Sequence, residues 1–507
     1  MNFKSQVNPF FLGLTTTLLS AQTAVAAEKV KPNIVFLFVD DLGYGDVGFN
    51  GSKYYETPNM DALAKQSLVF ENSYAYPTSS PSRAALLTGK QSFRTGVYTV
   101  PVLEKGDDQE NIFSRWTVEQ KHEVYAQPLS EVGYKSIHIG KWHIVGPDPL
   151  NELKMEFPLK EKLKQPEPGD YDWVALHKSA EVQKYYPQGK GFNENVGGTF
   201  RGDPAFELGG LKSVTKGYKA PFSNPFITPK PSDEWLTDRL TDEAIGFMER
   251  NKKGPFFINL HFYAVHNPIL ARNKELYDKY LNKPGDSLSG QGFGPRHEHM
   301  AAYATMIESV DQNVQRILDY LDKNGLRENT IIILSSDNGT NGSVSKNSNL
   351  RGDKGYIYEG GVRVPTFFNW PNRITPRRSL TPISLLDYFP TFLSLAGVKN
   401  YKDVMDGNDL TPLFKKEDCK FKNRPIFWHI ASQWKHGTCS AMRKGNYKLI
   451  QFLKDGAIEL YDLTKDPKEE HNLSIEKPEV AKKMLNELVN WRKKNKAPLP
   501  PNSILKN

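Results

Sequence analysis

Three stretches of this chain are apolar runs that stop abruptly on polar residues. The run 33–39 (NIVFLFV) ends on Asp40-Asp41-Leu42-Gly43, and 330–334 (TIIIL) ends on Ser335-Ser336-Asp337-Asn338-Gly339. A looser copy, 256–260 (FFINL), passes into the stretch from His261 to His266. An apolar run without alternation reads as a strand buried on both faces, which belongs in a parallel sheet covered by helices. Between the runs, Tyr303, Met306, Ile307, Val310, Val314, Ile317, Leu318 and Leu321 keep the 3/4 spacing of one apolar helix face. Strands alternating with such helices predict an α/β fold with a large, mainly parallel central sheet flanked by helices. Sheets of that kind gather ligands outside the carboxyl ends of their strands, where the three polar stops stand.

The 507 residues suffice for one large α/β unit and a smaller partner. A catalytic domain is expected over 27–414 and a smaller α+β subdomain over 415–507. In the latter, 441–450 and 459–463 read as strands of an antiparallel sheet, and an amphipathic helix is expected over about 478–493. The region 148–230 is rich in Lys, Pro, Gly and aromatic residues without periodicity, and reads as long surface loops that shape a substrate site.

Residues 1–26 read as a cleaved signal peptide: Lys4, the apolar segment from Phe10 to Leu19, then Ala24-Val25-Ala26 as the cleavage motif. The apolar segment is too short to anchor the chain in a bilayer. The mature protein is therefore expected in the periplasm or outside the cell. With only Cys419 and Cys439, the chain is no disulfide scaffold; one bridge or two thiols fit equally. Lys and Arg number 66 against 58 Asp and Glu, a net charge of +8. The excess suits a polyanionic partner. No compact basic block with interleaved aromatics supports nucleic acid, and the oligomeric state stays open.

Asp40, Asp41, Asp337 and Asn338 are hard oxygen ligands, and their motifs contain no histidine or cysteine. Such a set suits Ca²⁺ or Mg²⁺ rather than zinc. Either motif alone also reads as a polar turn; the pair at equivalent strand ends favours a metal.

One further run is distinctive. Ser79-Ser80-Pro81-Ser82-Arg83 followed by Ala84 to Leu87, Thr88 and Gly89 matches the signature C/S-x-P-S-R-x-x-x-L/M-T-G. On this run the chain resembles the formylglycine-dependent type I sulfatases of the alkaline phosphatase superfamily. Gly140-Lys141-Trp142-His143 resembles their GKWH segment, and Ser336 to Gly339 their second metal motif. Residues 350–355 and 359–365 resemble their L-R-G-x-K-G and E-G-G-x-R-V-P element, and 459–473 the close of their C-terminal domain.

The resemblance implies that Ser79 is oxidised to formylglycine. A serine left as it is would become a stable O-sulfate. A hydrated aldehyde has two geminal hydroxyls, so one can attack sulfur while the other expels sulfate by C–O cleavage. It further implies a bound Ca²⁺, with Mg²⁺ second, held by Asp40, Asp41, Asp337, Asn338 and the matured Ser79. Arg83 would hold the hydrated aldehyde, and Lys141 and Lys354 the sulfate oxygens. His143 would take the proton of the second hydroxyl, and His266 would protonate the leaving alcohol. Serine rather than cysteine at position 79 implies a radical-type formylglycine-generating maturase.

His138, His261, His429 and His471 are expected in structural or surface roles, and Arg296-His297-Glu298-His299 as a solvated helix start. The expected activity is sulfate-ester hydrolysis on a sulfated polysaccharide or oligosaccharide, such as an algal galactan or a glycosaminoglycan. Two alternatives remain: a phosphomonoester or phosphonate hydrolase of the same superfamily, and a catalytically silent sulfoglycan-binding protein in which Ser79 stays serine.

Overall fold

The computed structural model describes residues 1–2, 31–164, 173–204, 217–222, 224–228, 230, 233–346, 349–417 and 419–505. The expected signal segment therefore lies, beyond its first two residues, outside the described part. Eight strands form the main sheet: β1 (Asn33–Val39), β2 (Leu68–Phe70), β3 (Lys135–Gly140), β4 (Glu194–Val196), β5 (Phe256–His261), β6 (Thr330–Ser336), β7 (Phe367–Asn369) and β8 (Arg377–Ser379). Their spatial order is β4-β3-β5-β1-β6-β7-β2-β8. Only β7 runs against the others, so the sheet is mixed but mostly parallel. The three apolar runs of the sequence lie side by side at its centre, with Ile34 opposite both Phe257 and Ile331.

Burial on both faces explains why these runs do not alternate. Val35, Leu37 and Val39 face one layer, covered by α2 (Leu236–Asn251) and α3 (His297–Lys323). Ile34, Phe36 and Phe38 face the other, where α1 (Ser79–Thr88) and α4 (Tyr388–Ala396) supply Leu86, Phe389 and Phe392. Each fully buried side chain of this size is worth about 1.5–3 kcal/mol of transfer free energy. The apolar stripe of 303–321 packs as its spacing predicts, with Tyr303, Ile307, Val310, Val314 and Leu321 buried.

A second, antiparallel sheet contains β9 (Ile426–Ile430), β10 (Cys439–Lys444), β11 (Tyr447–Phe452) and β12 (Ile458–Asp462). The helix α5 (Pro478–Lys494) starts with proline at its first turn, where the missing N–H costs nothing. Ala481, Met484 and Leu488 of this helix bury Met442, Leu449 and Leu460. The other face of the sheet packs Trp428 and Ile450 on Tyr74 and Ile357. A fully buried Lys448 joins the two parts, 3.1 Å from Glu359 and 3.0 Å from Glu469. Cys439 is a buried free thiol, its pKa pushed up to about 12 by burial. The Cys419 side chain lies outside the described part.

The region 148–230 contributes more to the core than its composition suggests. Val182, Tyr186 and Phe192 are buried there, and β4 completes one edge of the main sheet. Its helices and strand are only three to six residues long. Elements that short hold no full period for a sequence to display.

Glu104 carries a pH dependence. Its Oε1 accepts hydrogen bonds from Ser114 N–H (2.6 Å) and Ser432 Oγ (2.7 Å), while Oε2 is buried without a partner among the described residues. Burial raises its pKa from 4.5 to about 7 against the pull of those bonds. A folded pKa above the unfolded one stabilises fully below the unfolded value, and the contribution is lost as pH rises through about 7. Glu104→Gln is expected to flatten this slope, gaining up to about 3 kcal/mol on the wild type between pH 5 and pH 8. Denaturant unfolding at the two pH values checks it; parallel profiles would contradict the assignment.

Candidate active site

The carboxyl ends of β1, β3, β5 and β6 all open on one side of the sheet, and their polar stops converge there. Asp40 and Asp41 follow β1, Lys141 and His143 follow β3, His266 follows β5, and Asp337 and Asn338 follow β6. The Asp41 N–H donates to Asp337 Oδ1 at 3.1 Å, and Leu42 N–H to Ser336 Oγ at 3.1 Å, which ties the two strand ends together. Asp41 and His143 both sit in the left-handed region, at φ 61° and 57°. For residues with a Cβ that conformation is strained, and strain held by surrounding structure is concentrated at functional sites. Asp41 is held by Tyr303 of α3, whose hydroxyl lies 3.0 Å from the Asp41 carbonyl and 2.9 Å from the buried Asp46.

Ser79 is the first residue of α1, a helix with every residue buried and Gly89 as its left-handed C-terminal stop. The helix N-terminus directs partial positive charge at the same point as the strand ends. Arg83, one turn on, uses all three guanidinium nitrogens. Nε donates to Ser79 Oγ at 2.9 Å, Nη2 to Asp337 Oδ2 at 2.9 Å, and Nη1 to the Lys141 carbonyl at 3.1 Å, with His261 Nδ1 also 3.0 Å from Nη1. Lys141 Nζ lies 2.5 Å from Asp40, and Lys354 Nζ 2.7 Å from Asp41. Three carboxylates thus face three cations.

Electrostatics divide the carboxylates. Burial and the Asp337 charge hold Asp40 well above the usual range. Asp337 is equally buried, but Arg83, Lys141 and Lys354 outweigh burial and hold it well below. Asp41 is lowered by Lys354 and His266 in spite of burial. Burial lowers Lys141 more than Asp40 raises it, whereas Asp41 and its neighbours raise Lys354. Burial, then Lys141, holds His143 far below its ordinary value, and burial with Lys141 and Lys354 takes His266 to about 3.

Asp40, Asp41 and Asp337 each offer an oxygen within 4.8 Å of the others. Asp40 Oδ1 and Asn338 Oδ1 are buried with no hydrogen-bond partner among the described residues. Asn338 spends its amide N–H groups on Asp41 Oδ1 (2.7 Å) and the Gly339 carbonyl, so its side chain already touches the carboxylate group. Unpaired buried oxygens are costly, and a hard divalent cation would satisfy them. The donor set therefore fits such an ion.

A cleft opens over this cluster. Ser79, Lys141, His143, His266 and Lys354 line its floor, so the structure brings together every site residue expected from the sequence. Val100, Leu103, Trp116 and Phe200 form an apolar wall, with Arg201 and Asp203 beside it, 3.8 Å apart. Gly202 lies against His143: a Cβ there would stand 2.6 Å from the imidazole. Sequence reasoning missed this wall, as well as Asp46 and Tyr303; only the loop character of 148–230 pointed toward part of it.

Four other histidines sit elsewhere. His297 Nε2 donates to the Leu281 carbonyl at 2.8 Å, and His299 is exposed, so the Arg296–His299 cluster is a helix start. His429 is buried between Ser440 and the Pro498 carbonyl, and His471 is exposed beside Glu476. Lys90 pairs with Asp403 at 2.6 Å, away from the cleft.

Comparison with known proteins gives the same direction. The sulfatase family model matches residues 32–398, and a model of the C-terminal region of N-sulphoglucosamine sulphohydrolase matches 351–494. A sulfatase of Formosa agariphila is 32% identical over 97% of this chain and 94% of its own. Mouse N-acetylgalactosamine-6-sulfatase is 30% identical, over 85% of this chain and 74% of that protein. The crystal structure of Ps i-CgsB in complex with k-i-k-neocarrahexaose superposes with a TM-score of 0.67 at 28% identity, covering 91% of this chain and 92% of that one. With the fold, the strand-end cluster and these matches in agreement, the chain belongs to the sulfatase family, enzymes that hydrolyse sulfate esters.

Proposed function

We propose that this enzyme removes sulfate from a sulfated carbohydrate, using formylglycine formed from Ser79 and a bound Ca²⁺. The observation that carries the reading is the cleft itself: a reactive position, two lysines and two histidines on its floor, and a wall able to hold a sugar. Trp116 and Phe200 offer apolar surface to the C–H face of a sugar, while Arg201 and Asp203 suit its hydroxyls. Ps i-CgsB, solved in complex with k-i-k-neocarrahexaose, lends support, as does the mouse enzyme named N-acetylgalactosamine-6-sulfatase.

The matured residue would supply a geminal diol as nucleophile, and a cation held by Asp40, Asp41, Asp337 and Asn338 would draw electron density from the sulfate oxygens. Arg83 orients position 79 and keeps a positive charge beside it. Lys141 and Lys354 place their ammonium groups on the cleft floor to bind the sulfuryl oxygens as charge grows on them. His143, packed against Gly202, is neutral and ready to accept a proton from position 79. His266, in the cleft with its side chain 19% exposed, is neutral at its lowered pKa; the negative charge of a bound sulfate ester would raise it, so that the ring takes up the proton it gives to the leaving sugar oxygen. The N-terminal segment would export the protein, and a maturase acting on the Ser79–Gly89 signature would modify it.

Sulfate release from a panel of regiochemically defined sulfated oligosaccharides tests the reading. Turnover of at least one sugar sulfate is expected. Activity confined to aryl sulfates, or phosphate esters turned over faster in a two-zinc protein, would overturn it. His266→Ala is expected to slow a sugar sulfate by about 10²–10⁴-fold and a nitrophenyl sulfate far less, because only the poor leaving group needs a proton. Equal losses on the two substrates would remove His266 from that role.

A further inference from the structure

Behind the cleft, the last residue of β5 is a histidine that the roles described above leave unused. His261 is wholly buried, among Phe36, Phe38 and His138, with ring centroids 5.8, 4.9 and 5.0 Å away. Its Nδ1 lies 3.0 Å from Arg83 Nη1. A guanidinium has only donors, so Nδ1 must present its lone pair. The ring is then neutral and carries its proton on Nε2, an atom that is buried with no hydrogen-bond partner among the described residues. A phenylalanine would fill this aromatic pocket without leaving a buried polar atom unpaired. Keeping a histidine here makes physical sense through its contact with Arg83.

The neighbouring chain of groups fixes the surroundings. Tyr125 OH donates to Asn259 Oδ1 at 2.7 Å, so Asn259 Nδ2 donates to His138 Nδ1 at 2.9 Å, and His138 Nε2 donates to the Gly140 carbonyl at 3.2 Å. His138 is therefore set as a neutral wall, and its ring keeps the imidazole of His261 from turning away. Gly140 ends β3 at φ 89°, where a Cβ would stand 1.9 Å from the His261 carbonyl. That close approach lets Lys141 N–H donate to the same carbonyl at 2.9 Å. One residue thus anchors Arg83 through its ring and the Lys141 backbone through its carbonyl.

We infer that His261 is a positioning residue for the sulfatase reaction: its Nδ1 lone pair fixes Nη1 of Arg83, so that Nε meets position 79 and Nη2 meets Asp337. This rests on the proposed function of the cleft only for its catalytic consequence. The contact can be read without turnover.

Two measurements on the full-length chain test it. In ¹⁵N-histidine NMR, with His261 assigned by its loss in His261→Asn, the ring is expected as the Nε2–H tautomer, and an Nδ1–H tautomer would overturn the contact. Sulfate-ester turnover is then measured per mole of formylglycine, quantified by mass spectrometry. His261→Phe keeps the aromatic packing but removes the acceptor, and is expected to lower kcat by about 10–10²-fold with KM within about twofold. His261→Asn, whose Oδ1 stands near the place of Nδ1, is expected to recover most of that loss. Equal losses in the two variants, or a His261→Phe loss matched by unfolding at the assay temperature, would overturn the positioning role. A wild type that carries formylglycine and shows no turnover on any sulfate ester would overturn the reading of the cleft instead, while the tautomer still reports on the Arg83 contact.

Discussion

Replacing Ser79 by alanine is expected to lower sulfate-ester turnover by at least about 10⁴-fold while the protein stays folded. The size of the effect follows from what position 79 contributes. Its hydroxyl accepts from Arg83 Nε at 2.9 Å, at the N-terminus of α1. Lys141, Lys354 and His266 can bind and polarise a sulfate ester without it, but they supply no nucleophile. The structural cost is modest: one buried donor of Arg83 loses its partner, about 1–3 kcal/mol. Thermal unfolding and sulfate release, measured on the same preparation, separate the two effects. A variant that retained a tenth of wild-type turnover would show that a different group attacks sulfur.

Asp337→Ala is expected to be severe in both respects. Asp337 accepts from Arg83 Nη2 and from the Asp41 N–H, and its carboxylate is one of the three that converge within 4.8 Å. Arg83 and Asp337 are both fully buried. Removing one partner leaves an uncompensated charge inside the protein, a loss of about 3–5 kcal/mol. Turnover should fall by about 10³-fold or more, because the proposed cation site would lose a ligand and Arg83 loses its brace. Asp337→Asn retains an acceptor for the Asp41 N–H, so part of the stability should return while turnover stays low. Wild-type turnover in Asp337→Asn would mean that its charge is not needed to hold a metal.

The centre of the sheet was legible in the sequence because burial on both faces leaves a plain signature, an apolar run without alternation ending on Asp40-Asp41 or Asp337-Asn338. The long helix His297–Lys323 was legible for the same kind of reason: its stripe from Tyr303 to Leu321 repeats often enough to show its period. The edge strand Glu194–Val196 was not, since three residues make no pattern and its pairing with Ile137–Ile139 decides its conformation. Ser79, Lys141, His266 and Lys354 stood out through resemblance to a family; as isolated residues they carry no local signal. Tyr303 and His261 show the opposite limit. Their partners, Asp41 and Arg83, lie 262 and 178 positions away, and only the folded chain brings them together. His261 in particular reads from sequence as an ordinary core histidine, because nothing near it in the chain announces a guanidinium against its ring.

The most direct test of the account is the mass of the tryptic peptide Gln66–Arg83, taken from protein matured in its native host. Formylglycine at position 79 predicts a peptide lighter than the encoded one by two hydrogens, with an aldehyde that reacts with a hydrazide. A peptide of the encoded mass, from a preparation that nonetheless releases sulfate from a sugar ester, would contradict the account at its centre.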